Sequence, residues 1–181
     1  MGVKNKVDWC LKTQENQRFS GRQKSKGFFS EAEKEMKSGK HRGLIVVKPS
    51  KEKAREHIAK AEHYLEASLE LKGKFSDVSA GTTFYSIYHS LLAVLAKFGY
   101  ESGNQECTFA VISDLIENEK IDLDKEIVNK ISLLGEKKNQ SIVDIREKYQ
   151  YGTDLSMENK LYEETLDIAK RMLGKAKEII G

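Results

Sequence analysis

The stretch Ser79–Tyr100, SAGTTFYSIYHSLLAVLAKFGY, restricts the fold more than any other part of this chain. Apolar residues surround most of its circumference at helical spacing, so it cannot sit with one stripe on a core and the other face in water. Such a helix has to be the central element of a helical assembly. Phe84, Tyr85 and Tyr88 add rings to it, and Gly99 supplies a residue suited to a left-handed cap. One proline and 33% charged residues suit a helix-rich protein and argue against a sandwich or barrel built on turns.

Other helices follow from period and punctuation. The spacing predicts a helix from Ser50, an N-cap after Pro49, to about Lys72, with Gly73 as its stop and Ala54, Ile58, Ala61, Leu65 and Leu69 as its inward line. The central helix starts near Ser76 or Asp77 and ends at Phe98. A third covers Gln105 to Glu119, with Phe109, Ile112, Leu115 and Ile116 facing inward. A fourth, capped by Asp122 or Asp124, carries Ile127, Ile131, Leu134, Ile142 and Ile145, loosened midway by Gly135 and Asn139. A fifth, capped by Ser156, runs along Leu161, Thr165, Ile168, Met172, Ala176 and Ile179. The expectation is an all-α protein, an antiparallel bundle of about five helices over residues 44–181. Leu44-Ile45-Val46-Val47 is β-branched and extended in preference, closed by Pro49.

Residues 1–43 form an N-terminal extension of different character. Residues 1–48 hold 12 basic and 5 acidic side chains, leaving 19 basic and 23 acidic for the rest of the chain. Arg18, Arg22, Lys24 and Lys26 make the arm compatible with RNA or another polyanion, and equally with a solvated tail. Trp9, Leu11, Phe19, Phe28 and Phe29 are too many large apolar groups for a wholly detached segment, so part of the arm should dock on the body. Ser30 to Lys37 is a short helical candidate.

Several chemistries find no support. The longest strongly apolar run, Leu91 to Ala96, is too short to span a bilayer, and residues 1–12 show no apolar stretch of a secretory leader. Cys10 and Cys107 make no disulfide framework; Cys107 reads as a small buried hydrophobe, and a reducing cytoplasm is the expected compartment. No metal is expected: His57 and His63 point to different faces of one helix, and neither HExxH nor CxxC occurs. His89 is a core or interface histidine, or a polar group directed into a cleft.

Two segments carry a resemblance. YSIYHS around His89, with the small residues Ser79, Ala80 and Gly81 before it, and Arg146-Glu-Lys-Tyr-Gln-Tyr151-Gly152 together are similar to the HEPN family of small all-helical proteins. Val47-Lys-Pro-Ser-Lys-Glu-Lys-Ala54 and Gly99-Tyr100 ahead of Cys107-Thr108 extend the likeness over about 44–181. The resemblance implies a homodimer joined through the second and fourth helices, a separate nucleotidyltransferase as partner, and a toxin–antitoxin-like or nucleotide- and RNA-related role. It also implies an alternative activity, a metal-independent endoribonuclease needing no cofactor. There the family uses an arginine to stabilise the scissile phosphate and a histidine a few residues later to move a proton, with two copies facing each other. Arg146 occupies the arginine position, and Tyr151 stands where the histidine belongs; His89 is the remaining titratable candidate. Imidazole titrates near 6.5 and phenol near 10, so a phenol is a poor general base at neutral pH. The tyrosine that the partner modifies in silenced HEPN toxins would fall at Thr153, so that modification is not transferred to Tyr151.

Overall fold

A computed structural model of the protein describes residues 3, 4, 6–8, 10, 11, 43–132 and 141–181. The chain is mostly helical. After a short strand, β1 (Leu44–Val46), come α1 (Lys51–Leu71), α2 (Ser76–Lys97), β2 (Tyr100–Ser102), α3 (Gln105–Glu117), α4 (Lys125–Ile131), α5 (Ile142–Tyr151) and α6 (Asn159–Ile180). The described residues between 3 and 11 are helical as well.

α1 starts where the serine after proline puts it: the Ser50 hydroxyl accepts from the Lys53 amide at 3.1 Å. It folds back on α2, which also packs against α5 and α6. α2 is the central helix, with Phe84, Ile87, Leu91, Val94 and Leu95 almost wholly buried. Its small polar residues let α1 approach closely. Ser86 Oγ donates to the Ala61 carbonyl at 2.8 Å, and the Ser68 and Thr83 hydroxyls share a hydrogen bond at 2.5 Å. Ser79 and Ala80 are likewise buried within the chain, so these small residues serve packing between helices of one molecule. Leu69, expected on the inner line of α1, is 46% exposed, because the inward face of the last turns is taken by Leu65 and Ser68.

At the end of α2, Gly99 adopts φ +80° and turns the chain into β2. β2 pairs antiparallel with β1 in the register Leu44–Ser102, Ile45–Glu101, Val46–Tyr100. The extended segment foreseen at Leu44 thus has a partner that nothing local announces.

Three helix boundaries depart from expectation. The fourth helix is two: α4 ends at Ser132, whose backbone is extended, and α5 begins afresh at Ser141. There a capping box, with Ser141 and Asp144 each bonding the other's backbone amide, nucleates a new start. α3 stops at Glu117, two residues early, followed by Glu119 at φ +54°. α6 starts at Asn159, beyond the expected Ser156 cap and without a side-chain cap.

The cysteines overturn the reading of Cys107 as an unpaired hydrophobe. Cys10 and Cys107 form a disulfide with Cα atoms 5.9 Å apart, and both residues are wholly buried. Two residues 97 positions apart in sequence give no local sign of contact. Val7 is buried in the same core, Leu11 packs on it, and Lys6 pairs with Glu106 at 3.1 Å. Trp9, Phe19, Phe28, Phe29, His41, the Ser30–Lys37 candidate, and Leu134, Gly135 and Asn139 lie outside the described residues. No helix among the described residues is long and apolar enough to cross a membrane.

Candidate functional site

α2 carries a run of rings that continues onto α1, and α5 sets a guanidinium against it. Phe84 lies at its centre. Tyr88, one turn on, stacks on Phe84 with centroids 5.8 Å apart, and its hydroxyl meets the Thr108 hydroxyl at 3.2 Å. Burial pushes the Tyr88 phenol above its ordinary range, with the Thr108 bond opposing.

On one side Phe84 receives Arg146. α5 sets the guanidinium over the Phe84 ring, 4.8 Å from its centroid, and leaves the side chain only 12% exposed. Nη2 donates to the Glu147 carboxylate at 2.9 Å, whereas Nε is buried without a hydrogen-bond partner. A cation on a ring face is a favourable contact, but a buried N–H with no acceptor carries a desolvation cost.

On the other side Tyr85 meets Phe84 edge-on and stacks with Tyr64 of α1 at 5.3 Å. Tyr64 stacks in turn on His89, centroids 5.5 Å apart, while Lys60 Nζ sits 5.0 Å from the Tyr64 ring. His89 ends the run against His57, Nδ1 to Nδ1 at 3.1 Å. At that distance one ring must donate and the other accept, so the pair cannot hold two protons at those atoms. Burial depresses both imidazoles: His57, where Lys53 adds to the effect and Glu56 and Glu101 oppose it, and His89, lowered to about 4, with His57 and Lys60 contributing.

The three residues expected to act together are therefore dispersed. Arg146 is turned inward onto Phe84. His89 is engaged by His57 and Tyr64, with Tyr85 and Tyr64 intervening before Phe84. Tyr151, in the last turn of α5 before Gly152, is 74% exposed. Arg18, Arg22, Lys24 and Lys26 fall outside the described residues. A groove lined by residues of α4, α5 and α6, without Arg146, carries Asp144, Glu147, Glu163, Glu164 and Asp167 against Lys130, Lys148 and Arg171, a poor electrostatic match for a phosphate backbone. Among the described residues no cluster of three or more metal-ligating side chains occurs.

His57 and Tyr64 are the members of this site that sequence reasoning passed over. Their seven-residue spacing places them on one face of α1, two turns apart, which was the available signal. Comparison of the whole chain with protein-family models gives no match, and no curated protein matches it either.

Proposed function

We propose that this protein is a HEPN-like binding module, a homodimer that associates with a separate nucleotidyltransferase and does not itself cleave RNA. The observation that carries the reading is the dispersal of Arg146, Tyr151 and His89 within one chain: a buried guanidinium on Phe84, an exposed phenol and an imidazole held by a second imidazole. An acid–base pair needs both groups within reach of one reacting atom, and a positioned base near the working pH. Tyr85, Tyr88 and Leu92, half-buried on α2, and Val78, half-exposed, offer apolar area for a second copy. Light scattering should return about twice 20.6 kDa; a monomer at all micromolar concentrations rules out the dimer. A small nucleotidyltransferase gene should lie beside this one, and co-expression of the two should yield a stable complex; absence of such a gene or failure to co-purify rejects the pairing.

A second reading, a metal-independent endoribonuclease, is favoured by one detail. Arg146 Nε has no partner, as an arginine awaiting a phosphate oxygen would have none. In that reading two copies face their Arg146 and Tyr151 segments. RNA incubated with the protein in EDTA would be cleaved, with the activity lost in Arg146→Ala. No cleavage anywhere between about pH 5 and 9 excludes it.

A further inference from the structure

Spacing along α1 sets His57 and His63 on different faces, but the fold brings His57 to His89 of α2 instead. The two Nδ1 atoms stand 3.1 Å apart and the ring centres 5.3 Å. The 2.2 Å between these distances is about two ring radii, so both nitrogens lie near the line joining the rings. Two imidazole bonds of about 2.0–2.1 Å to one ion span about 2.9 Å at a right angle and about 3.3 Å at the tetrahedral angle. The observed spacing falls between them. An ion therefore requires a turn of each ring about its soft χ2 torsion, with the helices left where they are. Those helices are fixed against each other: Ser86 Oγ donates to the Ala61 carbonyl at 2.8 Å, Ala61 and Ala93 are buried, and His89 stacks on Tyr64 of α1. Folding has thus met much of the ordering cost of a chelate in advance. Both histidines are only half-buried, which leaves an ion a path from water. Burial also favours their neutral form, the form in which a ring nitrogen ligates. Lys53 and Lys60 bear on the pair against Glu56 and Glu101, so nearby charges oppose one another and donor chemistry decides. The chain's two cysteines are joined to each other, and no thiolate competes in the oxidised protein.

We propose that the Nδ1 atoms of His57 and His89 form an open site for one divalent first-row transition-metal ion, Cu2+ ahead of Zn2+, with water in the remaining positions. Imidazole suits Cu2+, Ni2+ and Zn2+, and on a given set of donors Cu2+ binds more tightly than either of the others. In the hydrogen-bonded pair one ring carries its proton on Nδ1. As the ion enters, that proton passes through solvent to Nε2 of the same ring, so both Nδ1 lone pairs face the metal and both rings stay neutral. Structural sites are closed by four protein donors, whereas two leave water ligands that an external anion or substrate group displaces. The site is separate from Arg146 and Tyr151, and it depends neither on a nucleotidyltransferase partner nor on RNA cleavage.

The oxidised full chain, treated with EDTA and dialysed, provides the test, with the chloride salt of each metal added alone. Calorimetric titration should return one Cu2+ per chain, bound more tightly than Ni2+ or Zn2+. The electron paramagnetic resonance spectrum of the copper form should show coupling to two nitrogens. With free Cu2+ at about a hundred times its dissociation constant, the melting temperature should rise on the order of 5–10 °C. His57→Gln and His89→Gln should each weaken binding about tenfold or more and remove the rise. His63→Gln, on the same helix but another face, should keep both. Absence of stoichiometric binding overturns the proposal, and so does binding that survives His57→Gln or His89→Gln. A single coupled nitrogen overturns the shared site, and Zn2+ bound more tightly than Cu2+ overturns the assigned donor chemistry. If a variant fails to fold, the stoichiometry and the nitrogen count on the native chain decide.

Discussion

His89 is where a single proton has the largest structural consequence. In the fold its imidazole is lowered to about 4 from an ordinary 6.5, mainly by burial. The unfolded chain therefore takes up the proton first as pH falls, and protonation favours unfolding. The stability tied to neutral His89 is complete above about pH 6.5, declines from there to about 4, and is gone below. The ring is only half-buried, so screening reduces the nominal effect to about 1–2 kcal/mol. Melting curves from about pH 8 to 4 should show that decline in the native protein and a flatter profile in His89→Asn. Equal slopes in the two proteins would refute the assignment. Arg146 makes a complementary case. Its guanidinium packs on Phe84 while Nε has no acceptor. Arg146→Met keeps the packing and removes the buried polar group, so its urea midpoint should equal or exceed that of the native chain, whereas Arg146→Ala should lose about 1 kcal/mol. If Met and Ala destabilise alike, packing on Phe84 is not what holds Arg146 in place.

At the scale of elements, the junction between α2 and β2 depends on one residue without a side chain. Gly99 has φ +80°, and a Cβ added there would stand 2.7 Å from the Val47 carbonyl oxygen and 3.1 Å from Pro49 Cδ. The same stretch is fixed from the other direction by the Val47 amide donating to the Gly99 carbonyl at 2.9 Å. Gly99→Ala should cost about 1–3 kcal/mol, through the strained dihedral and the displacement of β1, and chemical denaturation measures it. A loss below about 0.5 kcal/mol would mean that the turn tolerates rearrangement. The glycine cap was legible in advance because a left-handed position at a helix end has a residue signature. The break between α4 and α5 was less so. Ser141 and Asp144 have capping-box roles, yet Ile127, Ile131, Ile142 and Ile145 keep a helical spacing across the gap, and periodicity alone joins them.

For the molecule as a whole, the disulfide sets the difference between the oxidised and reduced chain. It closes a loop between residues 97 apart, and confining a loop of that length in the unfolded state is worth up to about 5 kcal/mol. Urea unfolding with and without reductant should show the midpoint fall on reduction while the transition of the helical signal stays single and cooperative. No shift in midpoint would mean that the unfolded chain gains little freedom from the cut.

What the sequence determined by itself was set by short-range rules. The helix α1 with its Ser50 cap, the central place of α2, the extended preference at Leu44 and the glycine turn at 99 all follow from residue type and spacing within a few turns. Only the tertiary structure decided which distant groups meet. It paired His57 with His89, laid Arg146 on Phe84 away from Tyr151, gave β1 its partner β2 and joined Cys10 to Cys107. It also spent the small residues at the start of α2 on packing inside the chain. The physical reason is that caps, turns and amphipathic periods are properties of the local backbone. Contacts across 30 to 100 residues depend on how helices rotate and stack to bury their apolar faces, and one sequence leaves that choice open.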